Sequence, residues 1–119
     1  MKLSEAIILG SVSTIQRFDD QSVNKEQGLC VIQTALHAIG SFHPPDIYND
    51  LWDIWPWVTK EEVIHPITGQ LSSITRIMYT LNDRYKWPRP RIAEWIKTIE
   101  PNEVTVPATQ ESTFAKAIR

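Results

Sequence analysis

Residues 71–101, LSSITRIMYTLNDRYKWPRPRIAEWIKTIEP, decide the fold. Leu71, Ile74, Met78, Leu81 and Tyr85 step by three or four, and Ile92, Trp95, Ile96 and Ile99 repeat the spacing. That is the period of one face of an α-helix, so the stretch reads as two helices joined by a tight corner. Asn82 and Asp83 lie near the end of the first helix, and Trp87-Pro88-Arg89-Pro90 restarts the chain. A proline is tolerated in the first turn of a helix and not deeper, so Pro90 marks a beginning. The apolar faces, Trp95 among them, are expected to look inward and leave the arginines outside.

Working outward, residues 25–39 read as a second firm helix. Leu29, Ile32, Ala35, Leu36 and Ile39 lie on one stripe, and Gly40 is a natural C-terminal cap. Gly28, at its start, suggests close approach by another helix. In DIYNDLWDIWPWV, Ile47, Leu51 and Ile54 share a helical face, Asp46 is available as a cap, and Pro56 stops the helix. Residues 4–9 read as a short helix capped by Ser4 and ended by Gly10-Ser11. Residues 11–24 are a polar loop containing Asp19-Asp20. Thr59 and Glu62 fit a capping box that opens one more turn of helix, and residues 65–70 form a loop. The expected fold is all-α: one small domain of four to six short helices over residues 1–101, with a helix-corner-helix at about 71–100. The tail, residues 102–119, is polar until Phe114 and Ile118 and is expected to dock on the core or on a partner.

The bulk numbers agree with one domain. The chain has 119 residues, 42% hydrophobic and 22% charged, which is a globular composition. No apolar run reaches the roughly 18 residues that span a bilayer, and MKLSEAIILGS is too short an apolar stretch for a secretory signal. A single cysteine, Cys30, cannot form an internal disulfide and fits a reducing, cytoplasmic setting. Charge is uneven. Residues 1–75 carry four lysines and arginines against nine acids, and residues 76–97 carry six against two. A basic corner on an acidic body is either a binding face or half of an internal charge balance.

Few chemistries find a footing. There is no glycine-rich phosphate loop and no Gly-x-Ser-x-Gly elbow. His37, His43 and His65 are scattered, and Asp46, Asp50 and Asp53 read as a solvated acidic face. The expectation is therefore no enzyme, no cofactor and no metal. Two binding readings remain. A protein-interaction module is favoured by five tryptophans, with Trp52, Trp55 and Trp57 crowded into six residues, because Trp and Arg are enriched at interface hot spots. The trio either floors the core or forms a binding platform. The alternative is a helix-turn-helix-like nucleic-acid binder using the basic corner at 84–91, with Arg89 and Arg91 at the start of the second helix. The candidate partner- or nucleic-acid-binding residues are Arg84, Lys86, Arg89, Arg91, Trp55 and Trp57. The partner is expected to be another protein or a copy of this chain, with no membrane.

LSEAIILGS, ALHAIG, WPW and above all LNDRYKWPRPRIAEWIKTIEP resemble a set of small uncharacterised bacterial and phage-borne proteins. Those proteins read L-N-D, three residues, W, then S/T-R-x-x-I-A-x-W-V/I and a closing I/V-E-P. A Cys-Pro-x-Cys piece often follows WPW in them, where this chain has His65-Pro66-Ile67-Thr68. It also has Pro88 where they have Ser or Thr. The resemblance covers about residues 1–101. It implies a cytoplasmic helical protein of bacterial or phage origin and transfers no catalytic residues.

Overall fold

The computed structural model describes residues 1–18, 29–41, 47–60 and 62–101. The Asp19-Asp20 turn, the start of the second helix with Gly28, the Asp46 cap and the docking of the tail at 102–119 lie outside them. The described fold is mostly helical, with five helices: α1 Leu3–Ser13, α2 Val31–Ala38, α3 Ile47–Ile54, α4 Ile74–Asp83 and α5 Arg89–Lys97. A 3-10 turn, Pro56–Thr59, follows α3. Two three-residue strands, β1 Glu62–Ile64 and β2 Leu71–Ser73, pair antiparallel with Val63 opposite Ser72.

The corner at 84–88 forms as the sequence predicts, with one shift. The first helix begins at Ile74, because residues 71–73 are committed to β2, and Leu71 stands in solvent. Ser73 then caps α4, its Oγ accepting from the Arg76 amide at 3.2 Å. After Asp83 the chain reverses through Lys86, at φ 54°. A non-glycine residue rarely adopts that conformation. Here Lys86 Nζ donates to the Asp83 carbonyl at 2.8 Å and the Trp87 amide to the Leu81 carbonyl at 2.9 Å. Pro90 sits in the first turn of α5, as expected.

The core is one cluster drawn from every helix. Ile74, Ile77, Met78 and Leu81 of α4 and Ile92, Ala93 and Ile96 of α5 are buried. Trp95 is packed against this cluster yet half-buried, so Ile96 is the deeper element of the pair. On α2, Ile32, Ala35 and Leu36 are buried as the stripe requires, but the helix starts at Val31. Leu29 is extended instead, exchanging backbone hydrogen bonds with Ile15 and Arg17. Gly40 ends α2 at φ 74° in a Schellman arrangement, with Gly40 N donating to His37 O and Ser41 N to Leu36 O. Another departure lies between the 3-10 turn and β1, where Glu62 belongs to a strand and not to a further turn of helix.

Helix α1 departs as well, since it does not end at Gly10. Leu3, Ala6, Ile7 and Gly10 form its buried stripe. A side chain at Gly10 would collide with the Thr34 carbonyl and methyl of α2, so the glycine is there for close approach and the helix runs on to Ser13. Helix α1 lies between α2 and α5. The α5 segment grips both of its ends. The Glu100 carboxylate accepts from the Ser4 amide at 3.2 Å and from the Ser4 hydroxyl. At the other end, Arg89 Nη2 donates to the Thr14 carbonyl at 2.6 Å, and Nη1 donates to the Thr14 and Thr34 hydroxyls at 2.7 Å each. An anion at a helix N-terminus and a cation at its C-terminus are both of the sign the helix dipole favours. Asn82 supplies a third buried tie. Its carbonyl accepts from Val31 N at the start of α2 and from Gln16 Nε2, and its amide donates to Arg17 O.

Arg89→Ala should therefore lower unfolding free energy by about 3 kcal/mol, because hydrogen bonds to a charged group are lost along with the charge. Arg89→Lys should recover only part of that, since one ammonium cannot match the planar fork. Urea midpoints at unchanged m-value measure both; a wild-type midpoint for Arg89→Ala would place its guanidinium outside.

Candidate functional site

Of the six residues singled out in the sequence, three stand at a surface as expected. Arg84, Lys86 and Arg91 are exposed at the corner. Each lies over an aromatic ring: Arg84 over Tyr85 at 5.8 Å, Lys86 over Phe18 at 5.0 Å and Arg91 over Trp87 at 3.9 Å. Arg89 does not join them. It is 5% exposed and spent on Thr14 and Thr34, so it offers nothing to a partner or a nucleic acid. Burial pushes its pKa down from the ordinary arginine value, but the α1 carbonyl end and two hydroxyls satisfy the cation.

The tryptophan trio divides. Trp55 is buried, its indole Nε1 donating to the Met1 carbonyl at 3.0 Å, and Trp57 is half-buried against the core. Pro56 opens the 3-10 turn between them, which breaks the helical register and swings Trp55 inward. Both line a shallow pocket with Met1, Leu3, Ile54 and Glu100. Trp52, three residues earlier on α3, is the exposed member at 37%, with Nε1 donating to Thr75 Oγ1 at 3.1 Å. Its ring lies 6.1 Å from that of Tyr48, tilted by 32°. Tyr79 of α4 completes an aromatic groove of about 880 Å3 between α3 and α4, floored by Val58 and edged by Lys60, Glu62 and Arg76.

A second depression of about 460 Å3 opens between the hairpin and α4, and shares Glu62, Ser73 and Arg76 with the groove. Its lining is polar, with His65, Thr68, Thr80 and Arg84 around it. Gly69, at φ 73°, turns the hairpin so that the Ile67 and Thr68 amides donate to His65 Nδ1 at 3.1 and 3.4 Å. An Nδ1 that accepts leaves the proton on Nε2, which donates to Thr80 Oγ1 at 3.0 Å; that hydroxyl in turn donates to Ile77 O. The ring meets Tyr85 edge-on with centroids 5.8 Å apart. His65 is buried, and desolvation lowers its pKa below the ordinary histidine value. This neutral imidazole locks the hairpin to α4 and has no free nitrogen for a substrate or metal.

Among the described residues, no group of three or more His, Cys, Asp or Glu is placed to hold a metal ion, and no helix is long and apolar enough to cross a membrane. Cys30 is a free thiol whose pKa is raised, first by burial, so it is a poor nucleophile. No family model, curated protein or solved structure matches the chain. The sequence reading missed Tyr48 and Tyr79 as groove walls and His65 as a lock. The tyrosines carried a signal, since each falls outside the buried stripe of its own helix. The histidine's partners come from a turn and from a helix fifteen residues away, which no local pattern shows.

The lowered pKa fixes a sign. The unfolded chain takes up the histidine proton below about pH 6.5 and the native ring resists it, so the stability His65 contributes is complete above that value and lost as pH falls. The urea midpoint should drop more between pH 7.5 and 5.5 for the wild type than for His65→Gln; equal drops would refute the neutral lock.

Proposed function

We propose that the chain is a non-enzymatic accessory protein that works by binding another protein, with the Tyr48–Trp52–Tyr79 groove as the place where the partner lies. The observation that carries this reading is the groove itself. Two helices leave a tryptophan and two tyrosines in solvent beside Arg76 and Lys60. Trp, Tyr and Arg are the side chains that dominate interface hot spots, and exposed aromatic surface rimmed by polar groups is typical of a recognition patch. Lys60 and Arg76 outnumber Glu62 at the rim, so charge complementarity selects a partner segment with an apolar anchor next to an acidic residue. The single cysteine and the resemblance to phage-borne proteins support a cytoplasmic, phage-associated setting.

The test is co-purification from the native host with the wild type and with Trp52→Ala. The wild type should retain one partner in stoichiometric amount. Trp52→Ala gives up the Thr75 hydrogen bond, so it should melt a few degrees lower, stay folded by amide spectra and lose that partner. A monomer that recovers no stoichiometric partner, or a partner retained equally by Trp52→Ala, overturns the reading.

Nucleic-acid binding is the second reading, favoured by the three cations laid over rings at the corner, since basic groups interleaved with aromatic faces suit single strands. A groove-reading helix is not part of it, because α5 turns Ile92, Ala93 and Ile96 inward along with Arg89. Binding through Arg84, Lys86 and Arg91 would weaken steeply with salt through counterion release; the absence of any gel shift at low salt ends it.

A further inference from the structure

We propose that the polar pocket between the hairpin and α4 binds a phosphomonoester, its oxygens held by Arg76 and Arg84 with help from the Ser73 and Thr68 hydroxyls. Arg76 and Thr80 are four apart on α4, and Arg84, the C-terminal cap of that helix, follows at the same spacing on the same face. Thr80 is fixed under His65, and Arg76 and Arg84, one turn before and one turn after it, line the same pocket. Among the described residues, neither guanidinium has a hydrogen-bonded or ion-paired partner; Arg84 has the Tyr85 ring alone. Glu62 is the single acid in the lining and His65 is neutral, so the pocket is positive.

The hydroxyl accounting points the same way. Ser73 Oγ accepts from Arg76 N and Thr68 Oγ1 accepts from Gln70 N, which leaves both hydroxyl protons unspent and available to donate. Thr80, by contrast, has both roles filled. Two planar guanidinium forks and two hydroxyl donors match an anion with three or four acceptor oxygens better than a single carboxylate. A volume of about 460 Å3 lies in the range of small-molecule pockets, roughly 300–1,000 Å3, with space beyond the phosphate for the esterified group against Tyr85.

Inorganic phosphate and phenyl phosphate are the probes, titrated separately at constant ionic strength while the arginine Nε–Hε resonances are followed by NMR. Both should give saturable shifts at Arg76 and Arg84, with phenyl phosphate the tighter. Arg76→Ala and Arg84→Ala should each weaken binding about tenfold or more, and Glu62→Gln should tighten it. Lys97→Ala, which removes a remote exposed cation, should change nothing. Amide spectra in which the His65 and Thr80 signals keep their positions show that each variant is folded. Linear, unsaturated shifts, weakening by Lys97→Ala equal to that of the arginine variants, or phosphate binding with phenyl phosphate excluded would each overturn the proposal.

Discussion

Helix α1 is held at its two ends by opposite charges from one neighbouring segment. Glu100 accepts from the Ser4 amide and hydroxyl at its start, and Arg89 donates to the Thr14 carbonyl at its finish. Arg89 and Glu100 are eleven residues apart, and α1 is eleven residues long, so two antiparallel runs of the same length match terminus to terminus. The orientation follows from electrostatics: with α1 reversed, each charge would face the wrong pole of the helix dipole. Gly10 then lets α2 come close enough for Thr34 to share the Arg89 fork. The apolar core supplies the bulk of the driving force, and these polar ties fix how α1 is seated against α2 and the α5 segment.

That division explains what could be seen in the chain before its structure. The inward faces of α2, α4 and α5 were legible, because Ile32, Leu36, Ile74, Met78, Leu81, Ile92 and Ile96 obey helical spacing and are all buried. The strand pair was not, because three residues are too few to show alternation and Leu71 happened to fall in step with the helix that follows. Gly10 looked like a stop signal. Its neighbour Thr34 is distant in sequence, and only the crossing of α1 and α2 gives the missing side chain a reason. The burial of Arg89 is invisible in the sequence for a related cause. A charged residue at a helix start is normally solvated, and its counter-charge here is the end of another helix rather than an acidic side chain.

The surface shows the same pattern. Three tryptophans in six residues announced something unusual, but the 3-10 turn at Pro56 decided which of them went inside. What remains outside is Trp52, which joins Tyr79 in one groove because the 3-10 turn after α3 packs on α4 and the indole bonds to Thr75. The groove and the polar pocket meet at Arg76, Ser73 and Glu62. An apolar recess and a basic recess are thus placed edge to edge on one helix, with the hairpin wall fixed by His65. The charge asymmetry in the sequence was real, yet its most telling member, Arg76, belongs to α4 and not to the corner where the arginines cluster.

The ties to Glu100 and Arg89 close loops of 96 and 75 residues. Contacts of that span are slow to form, because loop entropy must be overcome before any favourable energy is gained. Helix α1 is synthesised well before either tie exists, and at only eleven residues it is too short to persist unaided in water. On the ribosome this helix must wait, half-made, until the chain has been translated through residue 100. Any ribosome stall, premature stop or proteolytic cut ahead of that point leaves the side of α1 that α5 covers bare and open to chaperones and proteases.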